Sequence, residues 1–385
     1  MGEVSIDWAA AVARAERIVK GCGDPKPENL AKHGVHLTFG EGHFLDSHMV
    51  QVNEERLKAN HILIATGRHP PRLPIPGTEN AITHVEALRW EKPPRRLAII
   101  GGGIIGMEFA YLFRRLGTEV TVVEMLSQIL YMLDDDLRAA ISEHAASLGI
   151  QIHTSARVQR IDSLGQEYRV EVDQGTELIV DQVMIAAGQV PAVENLQLEN
   201  AGVAYDKGGI ITDKTLRTNV PNIWAAGDVR KGVAQLSQVA TDEGILATRN
   251  ALLGLSREVD EGIVPFFVGL TPPAASVGLT ETEARAAGYS VGVHIQAYAG
   301  VCPAANVEGE PEGFVKVLFD SKSGSILGAH AFGARSPDLI QQVAFALHGR
   351  MTIQQAAMTP FVFPGVSEVL WYALRPRPGE FTSTE

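Results

Sequence analysis

The chain has 385 residues with 33 Lys and Arg against 45 Asp and Glu, a net charge of −12. At roughly 150 residues per domain that is two or three domains, and the acidic balance argues against nucleic acid or an anionic membrane surface as partner, since both recruit basic patches. Hydrophobic residues at 45% and charged residues at 20% suit packed cores and exclude disordered and fibrous classes.

Residues 5–20 read as an alanine-rich helix with Trp8, Val12 and Ile18 near one face. The N-terminus carries acids early and lacks the uninterrupted apolar core of a signal peptide. Short strands follow in VHLTFGEGHFL and HMVQVNEERLKANHILIATG, and the proline-punctuated stretch 71–95 reads as a connection between domains. Next comes LAIIGGGIIGMEFAYLFRRLGTEVTVVE: strand, glycine loop, helix, strand. A helix is predicted from about Asp134 to Leu148, then strands in IQIHTSARVQRI and YRVEVDQGTELIVDQVMIAAG. NVPNIWAAGDV is a buried strand ending in Gly-Asp, with a helix expected at Ser237–Leu252. Strands alternating with helices argue for an open, mostly parallel α/β sheet. After Val264 the pattern changes to an antiparallel sheet with helices packed on it, a third domain at about 262–375 with a polar tail beyond. The longest apolar stretch, Leu97–Phe113, holds four glycines and Glu108 and fails as a membrane span.

The chain contains an internal echo. ILIATGRHP at Ile62–Pro70 and VMIAAGQVP at Val183–Pro191 each follow two or three short strands, as two copies of one nucleotide-binding unit would. In the second copy Gly101 precedes Gly188 by 87 positions, and the same step back from Gly67 falls before Met1. The first copy is therefore expected to lack its glycine loop, as if the chain began partway through a domain.

Gly101, Gly103 and Gly106 satisfy G-x-G-x-x-G between an apolar strand and a helix. The first permits the tight turn, the second lets backbone approach a pyrophosphate, the third allows close helix–strand packing, and the helix N-terminus offers amides to the phosphates. The next strand ends in Glu124, 21 positions after Gly103, where a carboxylate can bind ribose hydroxyls. A 2′-phosphate would be repelled by Glu124, and the following MLSQIL offers no arginine to receive one, so NADH is favoured over NADPH. Glu108, placed on the first turn of the helix, either complements the helix dipole or sits beside the nicotinamide. Asp228, at the carboxyl edge of its strand, is positioned to accept hydrogen bonds from a polyol or ribityl hydroxyl, or else caps a turn. The two cysteines, Cys22 and Cys302, lie 280 positions apart. They build no disulfide framework, read as bystanders, and fit a reducing cytosol, so a cytoplasmic location is expected. The twelve histidines show no metal-binding spacing.

These motifs resemble the FAD-dependent pyridine nucleotide-disulfide oxidoreductases, the family of dihydrolipoamide dehydrogenase, glutathione reductase and mercuric reductase. The resemblance covers essentially the whole chain, through IATGRHPPRLPIPG, the glycine loop, MIAAGQVP, TNVPNIWAAGDV, ASVGLTETEARAAGY and VKVLFDSKSGSILGAHAFG. It implies an α/β fold of two nested Rossmann-like nucleotide-binding domains, the first incomplete, plus an α+β C-terminal dimerisation domain that makes a homodimer. The implied boundaries are 1–88 with 191–261 for a partial FAD-binding domain, 89–190 for NAD, 262–375 for dimerisation and 376–385 for the tail. It also implies that Gly227 and Asp228 hold the ribityl–phosphate region of FAD, that Thr66 and Gly67 line that site, and that Gly188 belongs to the cofactor-binding set. Three departures stand out: the family's N-terminal FAD βαβ unit, its redox-active cysteine pair, and its His-Pro dyad, whose histidine is here Phe363 while Glu368 remains. Two readings follow, an NADH-dependent flavoprotein oxidoreductase with an unidentified small-molecule acceptor (quinone, metal ion or disulfide), or a non-catalytic NAD(H)-binding dimer unable to hold FAD.

Overall fold

A computed structural model of the chain describes residues 6–22, 27–260, 262–301, 303, 309 and 311–376. Cys302 and the tail beyond Pro376 lie outside the described residues. The chain divides into two units: Met1–Leu73, Val85–Pro93 and Gly188–Asp260 form the first, and Pro74–His84, Pro94–Ala187 and Glu261–Glu385 the second.

In the second unit, five strands run parallel in the order Ile82–Thr83, Gln182–Ile185, Arg96–Ile100, Glu119–Val123 and Gln151–His153. The central strands are near-continuous apolar runs (RLAII, EVTVV) because helices cover such sheets and leave no polar face. Two helices join them: Ile104–Arg115, and Asp135–Ser147 whose N-cap Asp134 accepts from Asp136 N at 3.2 Å. Three antiparallel strands, Val158–Ser163, Tyr168–Val172 and Thr176–Val180, form a separate meander.

The same unit contains a five-stranded antiparallel sheet, ordered Phe266–Val268, Ala274–Gly278, Ile326–Gly333, Gly313–Asp320 and Val291–Ala297. Its middle strand, ILGAHAFG, is buried at every position. Helices Ser336–His348 and Glu368–Leu374 supply Leu339, Ile340, Val343, Val369 and Leu370 to the core against Val315, Val317 and Ala329. Lys316, 1% exposed, binds Asp134 Oδ1 at 2.8 Å, Asp136 Oδ2 at 2.6 Å and Glu281 Oε2 at 2.8 Å. Burial works against its charge, and the three carboxylates outweigh that, so its pKa is raised. Asp134 also accepts from Glu281 N at 3.0 Å, so the start of one helix is tied to that of another, Glu281–Ala286.

In the first unit, Gly42–Asp46, Met49–Val52 and Glu55–Lys58 form an antiparallel meander. Ile62–Ile64 runs parallel to the wholly buried strand Ile223–Ala225, and Arg68–His69 pairs antiparallel with Val190–Pro191. Phe44, Ile64, Leu198, Ile210, Ile223, Ala225 and Val229 form its core. The helix expected after the Gly-Asp strand spans Ser237–Leu253 and ends at Gly254, whose φ of 63° fits a left-handed cap. The first helix covers Trp8–Cys22 and differs from expectation in its face. Trp8 is half-buried and donates to Trp90 O at 2.7 Å, whereas Ile18 is exposed. An alanine-dominated sequence has too little apolar surface to turn one full stripe inward.

Candidate functional site

The glycine loop sits where the sequence pattern puts it. Strand Arg96–Ile100 ends at Gly101, with φ 111° and its position crowded by Ala186 O, 2.5 Å from where a Cβ would be. A Cβ on Gly106 would lie 1.9 Å from Gly101 O, so the helix packs on the loop as only glycine permits. Gly103, by contrast, has nothing within 4 Å of its Cβ position. It caps helix Ile104–Arg115 with no side-chain bond, leaving the helix's leading amides free of a protein cap. Glu124 follows the neighbouring strand, is 9% exposed, and accepts from Gly102 N at 2.6 Å through Oε2 and from Leu126 N at 2.7 Å through Oε1. A carboxylate held by two amides has a fixed direction and retains lone pairs for further donors.

Glu108 lies one turn deeper than the sequence reading placed it. The helix starts at Ile104, with Gly103 as its cap, and its first turn carries no acid. A dipole contribution fades beyond that turn. Glu108 Oε1 instead accepts from Gly269 N at 2.6 Å, and burial pushes its carboxyl up against the lowering effect of that amide.

In the first unit, the turn after Ile62–Ile64 brings Thr66, Gly67 and Arg68 together. Thr66 Oγ1 donates to Ala192 O at 2.8 Å, and Gly67, at φ 71°, accepts from Ala192 N at 2.9 Å. Gly188 is also left-handed, at φ 86°. No neighbour lies within 4 Å of a Cβ at Gly67 or at Gly188. Gly227, at φ 71°, opens the short 3-10 turn Gly227–Val229 and donates to Glu243 Oε2 at 2.8 Å. Asp228 is half-buried, and its carboxylate makes no hydrogen bond to another described residue, which removes the turn-capping alternative. Burial raises its pKa, Arg68 draws it down and Glu243 adds to the rise.

Sequence reasoning missed the groups that hold this turn. Glu243, 1% exposed on helix Ser237–Leu253, takes Arg230 Nη2 at 2.5 Å and Nε at 3.1 Å besides the Gly227 amide. Arg68 donates to three carbonyls: Asp228 O at 2.7 Å, Gln189 O at 3.0 Å and Gly208 O at 2.7 Å. Nothing local marks either residue, since each partner is contributed by a distant segment. Cys22 ends the first helix. At the position of the family's histidine, Phe363 is exposed, while Glu368 is buried and accepts from Gly365 N at 3.2 Å. Among the described residues no helix is long and apolar enough to cross a membrane.

A parallel sheet with this loop and acid, together with a C-terminal antiparallel sheet, defines a class: the chain belongs to the pyridine nucleotide-disulphide oxidoreductase family, flavin-dependent oxidoreductases. Its family model matches residues 8–244, and the model of the family's dimerisation domain matches 264–374. Among particular relatives, the chain is 34% identical over 373 residues to dihydrolipoyl dehydrogenase of Chlamydia muridarum, covering 95% of this chain and 79% of that protein. It is 34% identical over 367 residues to mercuric reductase of Bacillus cereus, covering 93% and 58% respectively. The structure is similar to that of the HOCl-induced flavoprotein disulfide reductase RclA from Escherichia coli, with TM-score 0.90 and 31% identity over 96% of this chain and 86% of that one.

Proposed function

We propose that the chain is an NADH-dependent flavoprotein oxidoreductase of the cytoplasm, passing a hydride from NADH to FAD and on to a small-molecule electron acceptor, as a homodimer through its C-terminal domain. In this reading residues 1–88 with 191–261 form the flavin part, 89–190 the NAD part and 262–375 the dimerisation part. The observation that carries the proposal is the glycine loop: open space at Gly103, uncapped helix amides behind it, and the Glu124 carboxylate anchored on Gly102 N. Free amides at a helix start suit a diphosphate. The anchored carboxylate suits ribose hydroxyls and repels a 2′-phosphate, hence NADH over NADPH. Glu108, half-buried just past the first turn of the same helix, is the group assigned to the nicotinamide side.

On the flavin side, the residues fit the ribityl region. Asp228 offers a carboxylate with no donor among the described residues, Gly67, Gly188 and Gly227 take left-handed turns, and Thr66 fastens its turn by donating to Ala192 O. FAD, when bound, supplies the redox centre that takes the hydride. The chain's part is to hold the two cofactors and to keep the loops in shape.

The purified protein is expected to be yellow and to bleach when NADH is added without oxygen. A colourless protein that still gives calorimetric heat with NADH sinks the flavin half and leaves a dinucleotide-binding dimer. Absence of heat with either pyridine coenzyme sinks the whole reading. Replacing Glu124 with Ala is expected to weaken NADH about tenfold, the worth of one to two hydrogen bonds, while NADPH holds or improves; equal losses for both coenzymes would refute the ribose assignment.

A further inference from the structure

Arg68 differs from the chain's other well-placed cations in what it binds. Arg230 and Lys316 are matched to carboxylates, whereas the Arg68 guanidinium spends its donors on the carbonyls of Asp228, Gln189 and Gly208. Those carbonyls come from three segments, the Gly-Asp turn, the turn after Gly188, and the hairpin of Tyr205–Asp206 with Gly209–Ile210. The geometry suits a planar fork with several fixed donors and not a lysine, whose ammonium is a single point. No carboxylate oxygen lies within 4.0 Å of the guanidinium among the described residues, so its charge is not neutralised by a paired acid.

That charge acts on the Asp228 carboxylate. Glu243, the other acid facing this turn, is matched by Arg230 and by Gly227 N. Asp228 has no such partner, and Arg68 is the group that lowers its carboxyl against burial and Glu243. We propose that Arg68 is a positioning residue for the flavin side of the site: it ties the Gly227–Asp228 turn, through Asp228 O, to the segments that carry Gln189 O and Gly208 O, and supplies the charge that keeps Asp228 an acceptor for ligand hydroxyls. This rests on the flavin reading given above. It adds the side chain that follows Gly67 in ILIATGRHP, to which the sequence reading gave no role, acting on Asp228.

The sign of the pH effect follows. An ionised carboxylate accepts from two hydroxyls, and a protonated one gives up acceptor capacity. FAD affinity therefore falls as pH drops through the Asp228 pKa, and without Arg68 that fall begins at higher pH.

The test uses the full chain, with FAD binding followed by flavin fluorescence from about pH 4, the ordinary carboxylate range, up to about pH 8. Arg68→Met is expected to weaken FAD about tenfold near neutrality and to shift the acid-side fall upward. Arg68→Lys, which keeps the charge and loses the fork, is expected to restore the pH profile but not the full affinity. Amide exchange at 226–229, measured without flavin, is expected to quicken in both variants. Unchanged affinity and exchange in Arg68→Met overturns the proposal. So does a loss that is equal at all pH values and unrelieved by lysine, which would mark a purely structural side chain. Should Arg68→Met fail to fold, the lysine variant decides alone: wild-type affinity with wild-type exchange overturns the clamp. Wild-type protein that takes up no FAD defeats the flavin reading instead, and the exchange data still judge the clamp.

Discussion

Two similarly patterned phrases, ILIATGRHP at Ile62–Pro70 and VMIAAGQVP at Val183–Pro191, form strands of different standing. In the second, Gln182–Ile185 lies between two parallel neighbours, Ile82–Thr83 and Arg96–Ile100, and Val183 and Met184 are fully buried. In the first, Ile62–Ile64 has one parallel neighbour, Ile223–Ala225, and Leu63 is 37% exposed. Apolarity is the same in both; the number of flanking strands sets how far each sinks. The turns that follow are alike in backbone, with left-handed Gly67 and Gly188, and unlike in side chain, because Arg68 stands where the other copy has Gln189. A shared motif thus specifies a backbone path, and the residue after its glycine specifies what that path is fastened to.

The comparison breaks most easily at the glycine loop, which serves the second copy alone among the described residues. Gly106→Ala would drive a methyl to 1.9 Å from Gly101 O, a backbone clash expected to cost about 3–5 kcal/mol and to abolish NADH binding; a variant melting like wild type would show that the helix can slide. Next comes the contrast between strands. Met184→Ala should cost about 2–5 kcal/mol through the cavity it leaves, while Leu63→Ala should cost under about 1 kcal/mol, both read from denaturant midpoints. Equal losses would mean that burial does not separate the copies. The matched glycines give the sharpest control. Gly67→Ala and Gly188→Ala meet open space and only left-handed strain, so each should cost about 1–2 kcal/mol. A much larger loss at one of them would reveal a backbone approach that the other lacks.

Much of this was legible locally. The strand–loop–helix at 96–115 could be read because its glycines and apolar run are contiguous, and Glu124 because one helix and one strand fix its spacing. Helix Asp135–Ser147 lies within the expected Asp134–Leu148, with Asp134 as its cap and not its first residue. Glu108 was placed too near the helix start, since the helix opens at Ile104, inside the glycine motif, and Gly106 is already helical, and sequence does not say which carbonyl closes the first ring. Arg68, Arg230 and Glu243 were invisible for a different reason: their partners lie between 13 and 160 positions away, and only the closed fold brings them together.

The ammonium of Lys316 is the shared terminus of two helix starts, through Asp134 and Asp136 on one side and Glu281 on the other. Releasing either set strands a cation with fewer counter-ions in a dry interior, which is a strongly unfavourable state. Fraying at one of these ends therefore recruits the other, so the two segments breathe as a single cooperative element rather than as independent tips.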